Sequence, residues 1–148
     1  MIEPWFKLAF AVTGQKRFTP RERELSILAV LAVYDAPYVL YAHSEIAVVA
    51  GLSKDQVQQA VQGKAPDNLS EQEAITYMLS LKLARMRGPL DSETFTQAQS
   101  VLGKAKLAGL AHLVSGFIHV AMLTNIGDGD VPEKDDCVFL ASRDISST

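Results

Sequence analysis

The chain has 148 residues, 48% apolar and 21% charged, with a formal net charge of -3 and a pI of about 5.6. That length suits one domain with a real core, and that composition excludes disordered and fibrous classes. The 14 basic residues form no stripe ("KRFTPRER" comes nearest), so no nucleic-acid partner is expected, and a single cysteine, Cys137, permits neither an intrachain disulfide nor a cysteine-based metal cluster.

The opening "MIEPWFKLAFAV" holds a short apolar run behind an acidic residue and a proline, without the basic start of a signal peptide. Helix punctuation follows. Thr19-Pro20-Arg21-Glu22 reads as a capping box with proline at the first helical position, opening a helix to about Tyr34. Pro37 falls in the first turn of a second helix ending at Gly51, a residue suited to the left-handed position past a helix. Ser53 and Gln56 form another capping box, starting a short helix to about Gln62, and "GKAPDN" is a loop. Ser70 with Glu73 opens a longer helix through Arg87. Lys82, Arg85 and Arg87 suit the negative end of its dipole, and Gly88-Pro89 stops it. Asp91 or Ser92 caps a helix to about Leu102, and a last helix runs from about Lys104 to Ile126. "GDGDVPEKDDC" leads out of it into a tail. No stretch sustains period-two alternation, and "CVFLAS" is the only strand candidate; one strand makes no sheet.

The expected architecture is therefore all-α, with six or seven helices, as a single domain over residues 1–134 and a C-terminal tail over residues 135–148. Asp35, Pro37, His43 and Glu45 interrupt the apolar segment from Leu25 to Leu52, so no uninterrupted run there reaches membrane-spanning length. A soluble, cytoplasmic chain without a membrane partner is expected. Leu25 to Val33 and Leu107 to Leu123 are apolar nearly all round and need cover on every side. A chain this short supplies that cover most readily from further copies of itself.

"YVLYAHSEIAVVAGL" carries His43 in its middle, with Val39, Ile46, Ala47 and Ala50 at helical spacing. Glu45 is two residues on, about 200° around the helix, and lines up with Tyr38 and Tyr41 instead. Two readings of His43 stand: a packed histidine bonded to a backbone carbonyl, or an acid–base imidazole in a small apolar pocket. Glu24 precedes the run "LSILAVLAV" and shares a face with Leu28, Leu31 and Asp35. If buried, its carboxylate needs a partner, and an antiparallel neighbouring helix can offer His43. His112 and His119 are seven apart, about 10 Å by helical rise, too far to share one ion, so no metal site is expected. His119 can line a pocket from the last helix or simply pack. "GDGD" lacks the ligand spacing and closing glutamate of a calcium loop, and "GKAPDN" lacks the phosphate-loop pattern.

"RERELSILAVLAVYDAPYVLYAHSEIAVVAGLSKDQV" resembles the core motif of the carboxymuconolactone decarboxylase family, part of the alkylhydroperoxidase D-like superfamily. The pattern is a glutamate before an apolar helix, a histidine nineteen positions on, then "AGLS"; Glu24 and His43 have that spacing. "LSEQEAITYMLSLKLARMRGPLDSETF" and "SGFIHVAMLTNIGDGDVPE" resemble the family's later helices, so the likeness spans roughly residues 18 to 133. The resemblance implies an alkylhydroperoxidase D-like helical bundle, a homo-oligomer (a trimer, or a hexamer of two trimers), and chemistry without metal or organic cofactor. It implies His43 as acid–base residue with Glu24 as its partner, and it keeps Tyr38; Tyr41, an extra phenol nearby, and His119 of the last helix are further candidate contacts to a small-molecule substrate. The peroxidase branch has Cys-x-x-Cys where this chain has Ala36 and Val39, so thiol peroxidase chemistry is not expected. The decarboxylase-like branch often places Tyr-Glu-Trp where this chain reads Tyr38-Val39-Leu40, so a second carboxylate is absent too. The expected reaction is decarboxylation, isomerisation or dehydration of a cyclic or aromatic oxo-acid, lactone or polyketide-like compound; a binding or scaffold protein of the same fold is the alternative.

Overall fold

Three hydroxyl-led capping boxes set the frame. In each, a Ser or Thr accepts from the backbone three residues on, and a Glu or Gln reaches back: Thr19 with Glu22, Ser53 with Gln56, Ser70 with Glu73. The computed structural model describes residues 2–127, within which the elements are α1 (Ile2–Thr13), α2 (Pro20–Leu31), α3 (Pro37–Val49), α4 (Lys54–Val61), α5 (Glu71–Arg85) and α6 (Ser92–Ile126). All are helices, as the sequence leads one to expect. "CVFLAS", Cys137 and the tail lie outside the described residues.

Helix ends follow local chemistry. Gly51, at φ 101°, closes α3: its N–H donates to Val48 O at 3.0 Å, and the Leu52 N–H donates to Ala47 O at 3.0 Å. Asp91 caps α6 by accepting from the Thr94 N–H at 2.9 Å. Within α6 the backbone breaks at Gly103, at φ 75° and ψ 161°, a region essentially reserved for glycine. The two segments expected to end at Leu102 and resume at Lys104 are therefore distinct helices that meet at a kink.

The helix α2 is the centre of the bundle and packs on α3, α4, α5 and α6. Nine of its twelve residues are buried, among them Leu25, Ile27, Leu28, Val30 and Leu31. Each such side chain contributes about 1.5–3 kcal/mol by leaving water. Polar links fix α2 against its neighbours. The fully buried Ser26 and Ser80 hydroxyls share a hydrogen bond of 2.9 Å between α2 and α5, and Ser80 also bonds Thr76 O at 2.7 Å. Arg21 binds Glu73 at 2.6 Å and donates to the Gly51 carbonyl. Lys106 of α6 pairs with the buried Glu22 at 2.6 Å.

By length and composition α6 is the one helix among the described residues able to cross a membrane. Here it is the spine of the bundle: Leu110, Leu113, Val114, Phe117 and Ala121 are buried on α2, α3 and α5. The N-terminal helix α1 is not signalled by any cap in the sequence. It lies on α6 with no residue fully buried, anchored where Gln15 donates to Gly109 O at 3.2 Å. Gly109 permits that approach, since a Cβ there would stand 2.3 Å from Gln15 Oε1.

Candidate active site

Glu24 lies one turn into α2, where the charged start of the helix gives way to its apolar run. It is 1% exposed. Its partner comes from the neighbouring helix: His43 Nδ1 stands 2.7 Å from Glu24 Oε2. A carboxylate only accepts, so Nδ1 carries a proton and donates, and Nε2 is the end of the ring left to take up or give a proton. The short distance is that of a charge-assisted bond. The other carboxylate oxygen, Oε1, lies 3.4 Å from Arg23 Nε, a looser contact at the edge of the site. The His43 side chain keeps 17% of its surface exposed, and Nε2 makes no hydrogen bond to a described residue. Phe117 of α6 meets the imidazole in a T-shaped contact, with centroids 5.0 Å apart and planes at 89°. The pair is thus oriented from one side by a carboxylate and from another by an aromatic ring.

The remaining candidates lie apart from that pair. Glu45 is exposed, on the far side of α3 as its spacing requires. Tyr38 is half-exposed and Tyr41 partly buried, and neither forms a hydrogen bond to Glu24 or His43. Ala36 and Val39 are buried in the core. His119 is on α6, with its ring centroid 5.5 Å from that of Trp5 on α1. Together with His112 it lines a cavity of about 330 Å³ between those two helices, and Phe117 forms part of the wall. Among the described residues no three His, Cys, Asp or Glu side chains gather to hold a metal ion. Trp5 is the residue sequence reasoning missed as a pocket former. The apolar spacing of Trp5, Ala9 and Val12, supported by the Glu3–Lys7 pair at 2.8 Å, is the signal that could have revealed α1.

The buried Glu24–His43 pair sits inside the segment recognised by the model of the carboxymuconolactone decarboxylase family, which matches residues 2–78, just over half the chain. The chain belongs to this family. The match takes in α1 to α4 and the first half of α5, so it starts earlier and stops sooner than the likeness read over residues 18 to 133. No curated protein and no solved structure matches the chain. As a carboxymuconolactone decarboxylase family member it has an all-helical fold, and its Glu24 and His43 are contributed by two helices inside the matched segment.

Proposed function

We propose that the chain is a cofactor-independent, decarboxylase-like lyase. It would act by proton transfer on a small cyclic or aromatic oxo-acid, lactone or polyketide-like compound. The observation that carries this reading is the 2.7 Å contact between His43 Nδ1 and the buried Glu24 carboxylate, which leaves Nε2 as the free end of an oriented imidazole. In a decarboxylation the bond from carbon to the carboxylate breaks and carbon dioxide leaves. The electron pair passes into the adjoining carbonyl as an enolate, and Nε2–H delivers a proton to the carbon. Glu24 balances the charge of the ring while it holds both protons and fixes its orientation throughout. Isomerisation or dehydration would use the same relay, with Nε2 first taking a proton from carbon. Tyr38 and Tyr41 are proposed as substrate contacts from the α3 surface; His119, expected beside them, lines the α1–α6 cavity instead.

One observation favours a second reading, a non-catalytic binding or scaffold protein of the same fold. Phe117 is buried against His43, and no phenol bonds the pair. The experiment that separates the two is turnover of carboxymuconolactone and a panel of small oxo-acids and lactones. Glu24→Gln and His43→Ala should each lower it by about 10²–10⁴-fold while the helical circular-dichroism signal is kept. Undiminished turnover in both variants sinks the lyase reading. A cytoplasmic homo-oligomer, trimer or hexamer, is part of the same proposal. Its support is the exposure of large apolar side chains such as Val49 at 88% and Ile126 at 84%. Light scattering that shows a monomer at micromolar concentration contradicts that part.

A further inference from the structure

The cavity between α1 and α6 is separate from the Glu24–His43 pair, yet shares a wall with it. Its volume of about 330 Å³ is at the low end for ligand sites. Since an apolar void of about 150 Å³ already holds benzene, there is room for one or two rings. Most of the lining is apolar: Leu8, Ala9 and Val12 from α1, Phe117 and Val120 from α6. The polar groups are one-sided. The Thr13 hydroxyl is spent on Ala9 O at 2.8 Å and the Ser115 hydroxyl on His112 O at 3.2 Å. Trp5, His112 and His119 remain, each with a ring N–H and no hydrogen bond to a described residue. The lining holds no Asp, Glu, Lys or Arg. The groove is open on one side, with His112 and His119 exposed at its edge and Trp5 half-buried; an apolar groove edged by ring N–H donors and holding no acidic group matches a ring that brings its own acceptor oxygens.

Phe117 gives this cavity its relation to chemistry. It lines the chamber and also touches His43, which does not line it. We propose that the α1–α6 cavity binds a small ring-bearing carboxylic acid. Trp5 lies against the ring, His119 meets the carboxylate, and Phe117 is the partition between the bound ring and His43. This rests on the proton-transfer reading only for the role of the partition; binding in the cavity does not depend on it.

Trp5 is the only tryptophan in the chain, so its emission reports directly on the cavity. The probes are benzoate and cyclohexanecarboxylate, with cyclohexylamine as the cation of matching shape. The expected result is a saturable change in Trp5 emission with both acids, with Kd on the order of 1 mM or tighter, and at least about tenfold weaker response to the amine. The response should persist in His43→Ala and vanish in Ala9→Phe, which fills the chamber from a helix with no buried residue and so leaves the core intact. In proton NMR, benzoate should shift the Trp5 and His119 rings but not His43 in the unaltered protein, and should shift His43 as well in Phe117→Ala. No saturable response to either acid overturns the site. So does an equal response to the amine, or emission that follows protein concentration instead of acid, which would put a second copy in the groove. A His43 shift equal in the unaltered protein and Phe117→Ala overturns the partition. Loss of the lyase reading with the Trp5 response retained leaves the binding site standing, so the two failures are distinguishable.

Discussion

The helices α1 and α2 are each twelve residues long, and "IEPWFKLAFAVT" is the more apolar of the two against "PRERELSILAVL". Yet α1 has no buried residue, and α2 has nine. The difference comes from surroundings. The helix α2 is enclosed by α3, α4, α5 and α6, so even its Glu22 and Glu24 are buried and must be paired, with Lys106 and His43. The helix α1 lies on α6 and keeps Ile2, Phe6, Leu8 and Phe10 in solvent. Apolarity made α1 available for contact, while position made α2 a core. The charges that survive inside α2 are those with a partner on another helix.

This contrast can be broken or sharpened by measurement. The largest effect is expected in α2: Leu28→Ala, at a fully buried site, should lower the unfolding free energy by about 2–5 kcal/mol in urea titrations. A cost near zero would mean that α2 is not the centre of the core. Gly103→Ala should cost about 1–3 kcal/mol from backbone strain alone, because no atom lies within 4 Å of where its Cβ would stand. Unchanged stability would show that α6 runs as one regular helix.

The pH dependence of unfolding tests the paired and buried groups around α2. The Arg21 bond is the main cause holding the Glu73 carboxyl below its ordinary 4.5, against the opposing effect of burial. The folded state therefore loses stability as pH falls from 4.5 through that lower value, and Arg21→Met should flatten the acid limb. At the other extreme, burial pushes Tyr77 up to about 12 from 10, while its hydroxyl donates to Ala60 O at 2.8 Å. The folded chain keeps that proton after the unfolded chain has lost it, so stability should decline as pH rises from 10 towards 12, and Tyr77→Phe should remove that decline. The smallest effect belongs to α1: Phe10→Ala, at a site 72% exposed, should stay within about 0.5 kcal/mol. A larger cost would mean that α1 is covered in solution.

Much of this was legible because it is local. Thr19, Ser53 and Ser70 announced three helix starts through side chains that bond residues only three positions away. Gly51 and Gly103 marked an end and a break where only a residue without a Cβ adopts the backbone easily. Glu24 and His43 were readable as candidates from a nineteen-residue spacing, but their 2.7 Å contact belongs to tertiary structure. The rest was hidden for the same physical reason. Phe117 meets His43, and Lys106 meets Glu22, across long stretches of chain that no local period encodes. The helix α1 escaped because its opening residues carry no cap and its stripe of Trp5, Ala9 and Val12 is only partly covered by α6, while its other apolar side chains sit on a surface.

The hydroxyl contact between Ser26 and Ser80 bears on the Glu24–His43 pair in a way its place in the core does not suggest. Ser26 is two residues from Glu24 on the same helix. A helix turns by about 100° per residue, so slipping α2 one position against α5 would swing the carboxylate well away from α3. Such a slip would strand the buried Ser26 hydroxyl without its partner, while Ser80 would keep only its bond to Thr76 O within α5. The two serines thus act as an index mark: they set the phase of α2, and with it the direction in which Glu24 points.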